Sequence, residues 1–526
     1  MSTTAAVSRN AGVGAPVRPA GGRAGTEPAL RPGRRWATIA VGALTAAVLA
    51  ACGSGGPAPP DSSGLEWRPC AGAAEDAEGL RDAECAELVV PRDRSRPDGP
   101  SFTLPVLRLR ATGEHRIGSL VINPGGPGIS GVDYLRTEGD SLSTLRDRYD
   151  LVSFDPRGVG GSDPSIDCLD EAQEAEIRDR PSVPVDPEDE RAAIDSARTI
   201  AESCRDRFGD WLAHVGTADV VQDLEQLRIA LGEDRLTYLG FSYGTYLGAR
   251  YAATHPDRTG RMVLDGAMDP SLDYDGVRRD QAVAMDRALG RFVADCQLET
   301  NCPLEGDVAD GLDQLERLVR TLDRQPYTGP DGRRLSGGRA LALLQSATYF
   351  PPRTWDGLRG VLGDALAGRF QPMLELAHGP ALMVNPADTE YLAVLCHDLE
   401  TSSSTDDLQR LAAEWRALAP IDGPSRAWGT APCHVWPTRS AEQPAPVRAV
   451  GAGPILVIGT THDPATPVGW ARALAGQLDT SHYVEWEGDG HLAYGRAGPC
   501  VNRTVEQFLL EGVDPPRSTT CPAEGG

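Results

Sequence analysis

Leu236-Thr237-Tyr238-Leu239-Gly240-Phe241-Ser242-Tyr243-Gly244-Thr245-Tyr246-Leu247-Gly248-Ala249-Arg250-Tyr251-Ala252-Ala253 is the stretch whose reading decides the fold. The first four residues read as a buried strand, and Tyr246 to Ala253 read as a helix. Between them stands the pentapeptide Gly240-Phe241-Ser242-Tyr243-Gly244, a G-x-S-x-G pattern. In a chain of 526 residues with 59 glycines, such a pentapeptide alone carries little weight. The strand before it and the helix behind it change that. A sharp, strained turn between the two lifts a serine hydroxyl clear of the backbone, and glycines let strand and helix approach closely there.

Outward from this stretch, short apolar runs recur, each followed by Gly, Pro or Asp: Leu104 to Leu109, Ser119 to Ile122, Leu151 to Phe154, Met262 to Leu264, Ile455 to Ile458 and Tyr483 to Trp486. They read as buried strands. Helical spacing lies between several of them, clearest in Val220, Val221, Leu224, Leu227 and Leu231, with Thr217 or Asp219 as candidate caps and Gly232 as a stop. Strand and helix in alternation imply an α/β fold with a mainly parallel sheet. The alternation breaks after Asp269-Pro270. From 271 to 445 amphipathic helix dominates, as in Val283 to Leu289 and Leu312 to Leu322, before strand character returns at Pro454. The expected organisation is a sheet core in two parts, 65–270 and 446–526, with a helical lid, 271–445, over the strand ends.

A serine nucleophile needs a base, and the base needs an acid that fixes its tautomer. His491 sits in Gly488-Asp489-Gly490-His491-Leu492, a glycine-rich loop after the last expected strand, where it is free to reach Ser242. Asp463 follows the strand Ile455 to Ile458, 28 residues before that histidine. Asp265, at the end of Met262 to Leu264, is the rival acid. The chain order Ser242, Asp463, His491 is that of α/β-hydrolases. Backbone N–H groups must also face the developing oxyanion. Tyr243, next after the nucleophile, is one candidate donor. The second belongs to Asn123-Pro124-Gly125-Gly126-Pro127-Gly128, where Pro127 has no N–H and Gly126 is preferred to Gly125. Asp155 and Arg157, in a further Gly-rich loop, are expected to brace its neighbours.

With 40% hydrophobic residues the chain can bury a large core. A formal charge of -24, with every one of the 51 basic residues an arginine, works against a nucleic-acid partner. Residues 1–51 read as a lipoprotein signal peptide: Arg31, Arg34 and Arg35 precede an apolar run that ends in Leu49-Ala50-Ala51-Cys52-Gly53. Cys52 is the expected lipidation site and membrane anchor, followed by a Gly/Ser/Pro-rich tether to residue 64. The protein is therefore expected to be exported. Ten further cysteines suit an oxidising compartment; pairing each with the next in sequence (70 with 85, 168 with 204, 296 with 302, 396 with 433, 500 with 521) closes the shortest loops. No CxxC pair occurs, which argues against a zinc site, and no cofactor is expected.

These motifs, together with Asp155-Pro156-Arg157-Gly158, Leu264-Asp265-Gly266 and Asp463-Pro464-Ala465-Thr466-Pro467, resemble those of the secreted actinobacterial tripeptidyl aminopeptidases. These are α/β-hydrolase serine peptidases related to prolyl aminopeptidases. The resemblance runs from about 65 to 510. It implies release of short peptides from free N-termini, with Ser242, Asp463 and His491 as the triad and peptides or proteins as substrates. Prolyl aminopeptidases usually carry His before the Gly-Gly-Pro-Gly segment. Pro124 stands there instead, which fits the tripeptidyl branch. A cleft that accepts a free N-terminus needs a partner for the ammonium. Asp398, in the lid beside Cys396, is the candidate. A carboxylesterase on the same triad and a catalytically silent envelope-binding lipoprotein are the competing readings.

Overall fold

The computed structural model describes residues 64–70, 82–351, 354–379, 385 and 387–523. All lie within one unit, Asp61–Gly526. The expected leader, Cys52 and the tether up to Ser63 fall outside the described residues.

Ten strands form the main sheet: β1 (Arg68–Pro69), β2 (Ala83–Pro91), β3 (Ser101–Leu109), β4 (Gly118–Asn123), β5 (Tyr149–Phe154), β6 (Leu236–Phe241), β7 (Thr259–Asp265), β10 (Ile455–His462), β11 (Ser481–Asp489) and β12 (Ser518–Cys521). A separate hairpin supplies β8 (Tyr327–Thr328) and β9 (Arg334–Leu335). The main sheet runs in the order β1-β2-β3-β5-β4-β6-β7-β10-β11-β12. β1, β2 and β3 pair antiparallel, as do β3 and β5, and every later pairing is parallel. All seven apolar runs read from the sequence lie in strands.

Alternation along each central strand divides the core between two faces. Val121, Val152, Tyr238, Met262, Leu264 and Val457 pack on one side with Leu224, Leu227, Leu247 and Leu474 from helices. Leu120, Leu151, Leu239, Val263 and Leu456 pack on the other with Val132, Leu135, Val501 and Phe508. Burial on both faces is what makes these runs continuously apolar, and each such side chain contributes about 1.5–3 kcal/mol.

Between β7 and β10 the chain is mostly helical, opening with Tyr274–Cys296 and Val308–Arg324 and continuing through Gly337–Tyr349, Trp355–Leu366 and Thr389–Asp398. Leu289, Phe292, Leu315, Leu344, Trp355 and Leu374 give this layer a hydrophobic core of its own. The β5–β6 connection also carries helices, Glu171–Arg178, Pro187–Phe208 and Thr217–Ala230, of which only the last was legible.

The five sequential cysteine pairs are all bridged, consistent with an oxidising compartment. Among the described residues no helix is long and apolar enough to cross a membrane, and no cluster of His, Cys, Asp and Glu fit for a metal ion occurs.

Candidate active site

Ser242 follows β6 with φ 54° and ψ -122°, one of two non-glycine residues at positive φ among the described residues. Tyr243 then opens the helix Tyr243–Thr254, so its N–H is among those the helix itself cannot satisfy. The strained turn is held from both sides. The Ser242 N–H donates to the Asp265 carbonyl at 2.9 Å. A Cβ on Gly240 would stand 2.5 Å from the Gly244 carbonyl oxygen, which is why strand and helix can meet only through glycine.

Gly125 lies against the same turn. With φ +99° and a would-be Cβ 2.9 Å from Ser242 Cβ and 3.1 Å from Tyr243 N, it brings the Asn123–Gly128 loop onto the elbow. Its own N–H is committed to Asn123 Oδ1 at 3.0 Å. Gly126 N–H has no hydrogen-bond partner among the described residues.

His491 follows β11 on a turn bounded by Gly490 at φ 100° and Leu492 at φ 73°. Its Nδ1 lies 2.9 Å from Asp463 Oδ2 and 3.0 Å from Oδ1. The acid is fixed in turn: Asp463 Oδ1 accepts the Ala465 and Thr466 N–H groups at 2.8 Å each, and Oδ2 accepts the Thr466 hydroxyl at 3.0 Å. Asp463 and His491 are 2% and 7% exposed. The helical layer reaches the histidine as well: the Tyr349 carbonyl accepts the His491 N–H at 2.9 Å, and the Tyr349 ring meets the imidazole edge-on at 5.3 Å. Serine and imidazole flank one peptide, because a Cβ on Gly266, next after Asp265, would stand 3.3 Å from His491 Cε1.

The rival acid has a different post. Asp265 is fully buried and accepts the N–H groups of Ala493 at 3.0 Å and Tyr494 at 2.8 Å, so it anchors the histidine loop by its backbone. Asp155 and Arg157 brace as expected. Asp155 takes Ser130 Oγ at 2.7 Å and the Gly161 N–H at 2.8 Å. Arg157, with no exposed surface, grips Asp223 through Nε and Nη2 at 2.6 Å each.

Asp398 is brought close to the elbow but not to an open cleft wall. It is 7% exposed, and its carboxylate accepts the Thr217 N–H at 2.9 Å and the Thr217 hydroxyl at 2.5 Å. Thr217 Oγ1 also lies 2.5 Å from the Tyr243 hydroxyl. Asp398 thus caps a helix that lacks a cap of its own, where Thr217 or Asp219 had been expected to serve. With its oxygens turned to Thr217 it is poorly placed to meet a substrate ammonium, and burial pushes it up to about 6.

Glu390, at the start of the same helix, was not legible. Its Cβ and the Tyr391 N–H crowd a would-be Cβ on Gly128 at 3.3 and 3.0 Å. Its Oε1 accepts Ser165 Oγ at 2.8 Å and the Gly160 N–H at 3.1 Å. Burial pushes its carboxyl up to about 7. An acid amid a run of helix-forming residues carries no sequence signal, whereas Thr466 stood inside the quoted Asp463 motif.

Residues 118–496 match the alpha/beta hydrolase fold family. The chain belongs to the α/β-hydrolase family. This α/β-hydrolase is 35% identical over 477 residues to a protein named serine protease Hip1 from Mycobacterium tuberculosis, covering 87% of this chain and 91% of that one. It is 32% identical to a tripeptidyl aminopeptidase from Streptomyces lividans, covering 93% and 90%. It is also 33% identical to a protein named carboxylesterase B from M. tuberculosis, covering 86% and 89%. A solved proline iminopeptidase from Mycobacterium smegmatis is 16% identical, with a TM-score of 0.35, covering 81% of this chain and 98% of that one. The α/β-hydrolase is an enzyme with the tripeptidyl aminopeptidases among its relatives, as its motifs implied.

Proposed function

We propose that this chain is an exported serine exopeptidase that releases short peptides, tripeptides foremost, from free N-termini. The Asp463–His491 pair behind the strained Ser242 elbow carries the reading, and relatives named as a serine protease and as tripeptidyl aminopeptidases support the peptide over other acyl substrates. Ser242 Oγ attacks the carbonyl while His491 Nε2 takes its proton. Asp463 holds the proton on Nδ1 and stabilises the imidazolium. The tetrahedral oxyanion is met by the N–H groups of Tyr243 and Gly126, since Gly125 already serves Asn123. His491 returns the proton to the leaving amine, and water repeats the sequence on the acyl-enzyme.

The ammonium falls to Glu390 in this reading. Among the described residues its Oε2 makes none of the contacts that hold Oε1, and Glu390 borders the oxyanion loop at Gly128. A cation beside this half-buried carboxyl favours its ionised form, which aligns binding with the free amine. Export and a lipid anchor at Cys52 complete the proposal, supported by the leader sequence and the five disulfides. Mass spectrometry of the mature N-terminus checks that part.

The test compares a chromogenic tripeptide bearing a free amino group with its N-acylated twin and a short-chain ester, in wild type and Ser242→Ala. Cleavage of the free-amino peptide alone, lost in the variant, is the expected result. Preference for the ester favours the esterase reading suggested by the relative named carboxylesterase B. Failure of a fluorophosphonate to label Ser242 favours a silent binding lipoprotein.

A further inference from the structure

Two arginines of the helical layer keep buried N–H groups without acceptors. Arg426 is 5% exposed; its Nε donates to Asp422 at 2.7 Å and its Nη1 to Gln281 Oε1 at 3.1 Å, yet Nη2 is buried and unpartnered among the described residues. Arg278, on Tyr274–Cys296, donates Nη1 to the same Gln281 Oε1 at 3.2 Å and to the Tyr391 hydroxyl at 3.4 Å. Its Nε is likewise buried and unpartnered, and no carboxylate lies within 4.0 Å of its nitrogens among the described residues. In a chain of charge -24, Arg278 is a half-buried guanidinium without a carboxylate partner among the described residues.

Three neighbours of this pair, Gln281, Tyr391 and Tyr349, touch the catalytic elements. Gln281 Nε2 donates to the Ala465 carbonyl at 2.9 Å, and the Ala465 N–H in turn donates to Asp463. Tyr391 packs its N–H against Gly128 of the oxyanion loop. Tyr349, whose phenol feels the charge of both arginines, lies edge-on to His491. The two guanidiniums are therefore one residue removed from the triad's supports, on the lid side. A buried N–H group without an acceptor is costly, and the guanidinium fork that carries it matches a carboxylate in shape and charge.

We propose that Arg278 and Arg426 form a subsite for a carboxylate of the substrate, held over the triad by Gln281. This rests on the peptidase reading and deepens it: the substrate is a peptide that carries a carboxylate as well as a free amine. That carboxylate is either an Asp or Glu side chain or the C-terminus of a short peptide.

Two substrate pairs separate the sources. The first is a set of chromogenic tripeptides with a free amine that differ only in Glu or Gln at one position. The second is a tetrapeptide as free acid or C-terminal amide. Each is assayed with wild type, Arg278→Gln and Arg278→Lys. The expected result is a preference of about 10-fold or more in kcat/KM for the carboxylate member of one pair, falling to near unity in Arg278→Gln and partly restored in Arg278→Lys. The pair that shows it names the source. Neutral peptides cleaved with no preference in either pair overturn the subsite and leave the exopeptidase reading standing. A preference that survives Arg278→Gln unchanged also overturns it. Cleavage of no free-amino peptide at all overturns both.

Discussion

The imidazole Nδ1 of His491 faces both oxygens of Asp463, at 2.9 and 3.0 Å, while two backbone N–H groups and the Thr466 hydroxyl hold that carboxylate from behind. The acid thus has one orientation, and the histidine one tautomer. In Asp463→Asn the loop contacts at Ala465 and Thr466 survive, but an amide donor opposite Nδ1 favours the wrong tautomer. The expected loss in kcat is about 10⁴-fold with KM changed little. Steady-state kinetics on the free-amino tripeptide check this, and near-normal kcat would remove Asp463 from the triad.

Gly125 allows no side chain. A methyl group there meets the Phe241 carbonyl oxygen at 2.5 Å and Ser242 Cβ at 2.9 Å, on a backbone at φ +99°. Gly125→Ala is expected to push the oxyanion loop off the elbow and cut kcat by about 10²-fold or more. Circular dichroism should remain native. The rate of fluorophosphonate labelling, measured beside kcat, separates a displaced donor from an unfolded protein.

Asp223 is fully buried and shared by Arg157 and Arg94, the latter at 2.5 Å. Removing it leaves buried Arg157 with only the more distant Asp219 carboxylate, 3.6 Å from Nη1. Asp223→Ala should lower unfolding free energy by about 3–5 kcal/mol, read from a shift of the urea midpoint. A loss below about 1 kcal/mol would mean that water replaces the carboxylate at little cost.

Burial, aided by the charge of Asp422, pushes Asp286 up to about 7. The folded protein therefore keeps a proton there that an unfolded carboxyl has lost by pH 5. Stability from this group is complete at low pH and declines as pH rises through 7. Glu390 acts in the same direction. His397, lowered to about 4 by burial, acts oppositely but only below pH 6.5. Between pH 6.5 and 8 the unfolding free energy should therefore fall, by about 1 kcal/mol from Asp286 alone. Asp286→Asn should flatten this slope in thermal melts across that window, and an unaltered slope would reject the assignment.

The strands that were legible are those buried on both faces, because their runs are apolar without interruption. β2, Ala83–Pro91, escaped notice: Glu84 and Glu87 break its pattern, and it lies near the antiparallel edge with Glu87 and Val89 facing outward. Ser242, Asp463 and His491 could be placed because each follows a strand in a glycine-rich or proline-rich turn. The lid residues could not, since Gln281, Tyr349 and Glu390 sit in ordinary helical sequence and meet the site only through tertiary packing. Asp398 shows the converse: an acid beside a disulfide, chosen for its location, proved to cap the helix that starts at Thr217, 181 residues away in the chain.

The helical layer is built in two mechanical grades. Ala387, Leu392, Leu395 and Leu399, around the helix that borders Gly128 and Thr217, are packed into the core of the sheet itself. Leu289 through Ala377, which includes the helix ending at Tyr349, rests on a separate core. Natural variation can accordingly recast the second portion as an exchangeable cassette, altering the shape above the histidine, while the first stays bolted beside the oxyanion donors. Grafts between related enzymes that respect this seam should transfer selectivity and leave the chemistry behind.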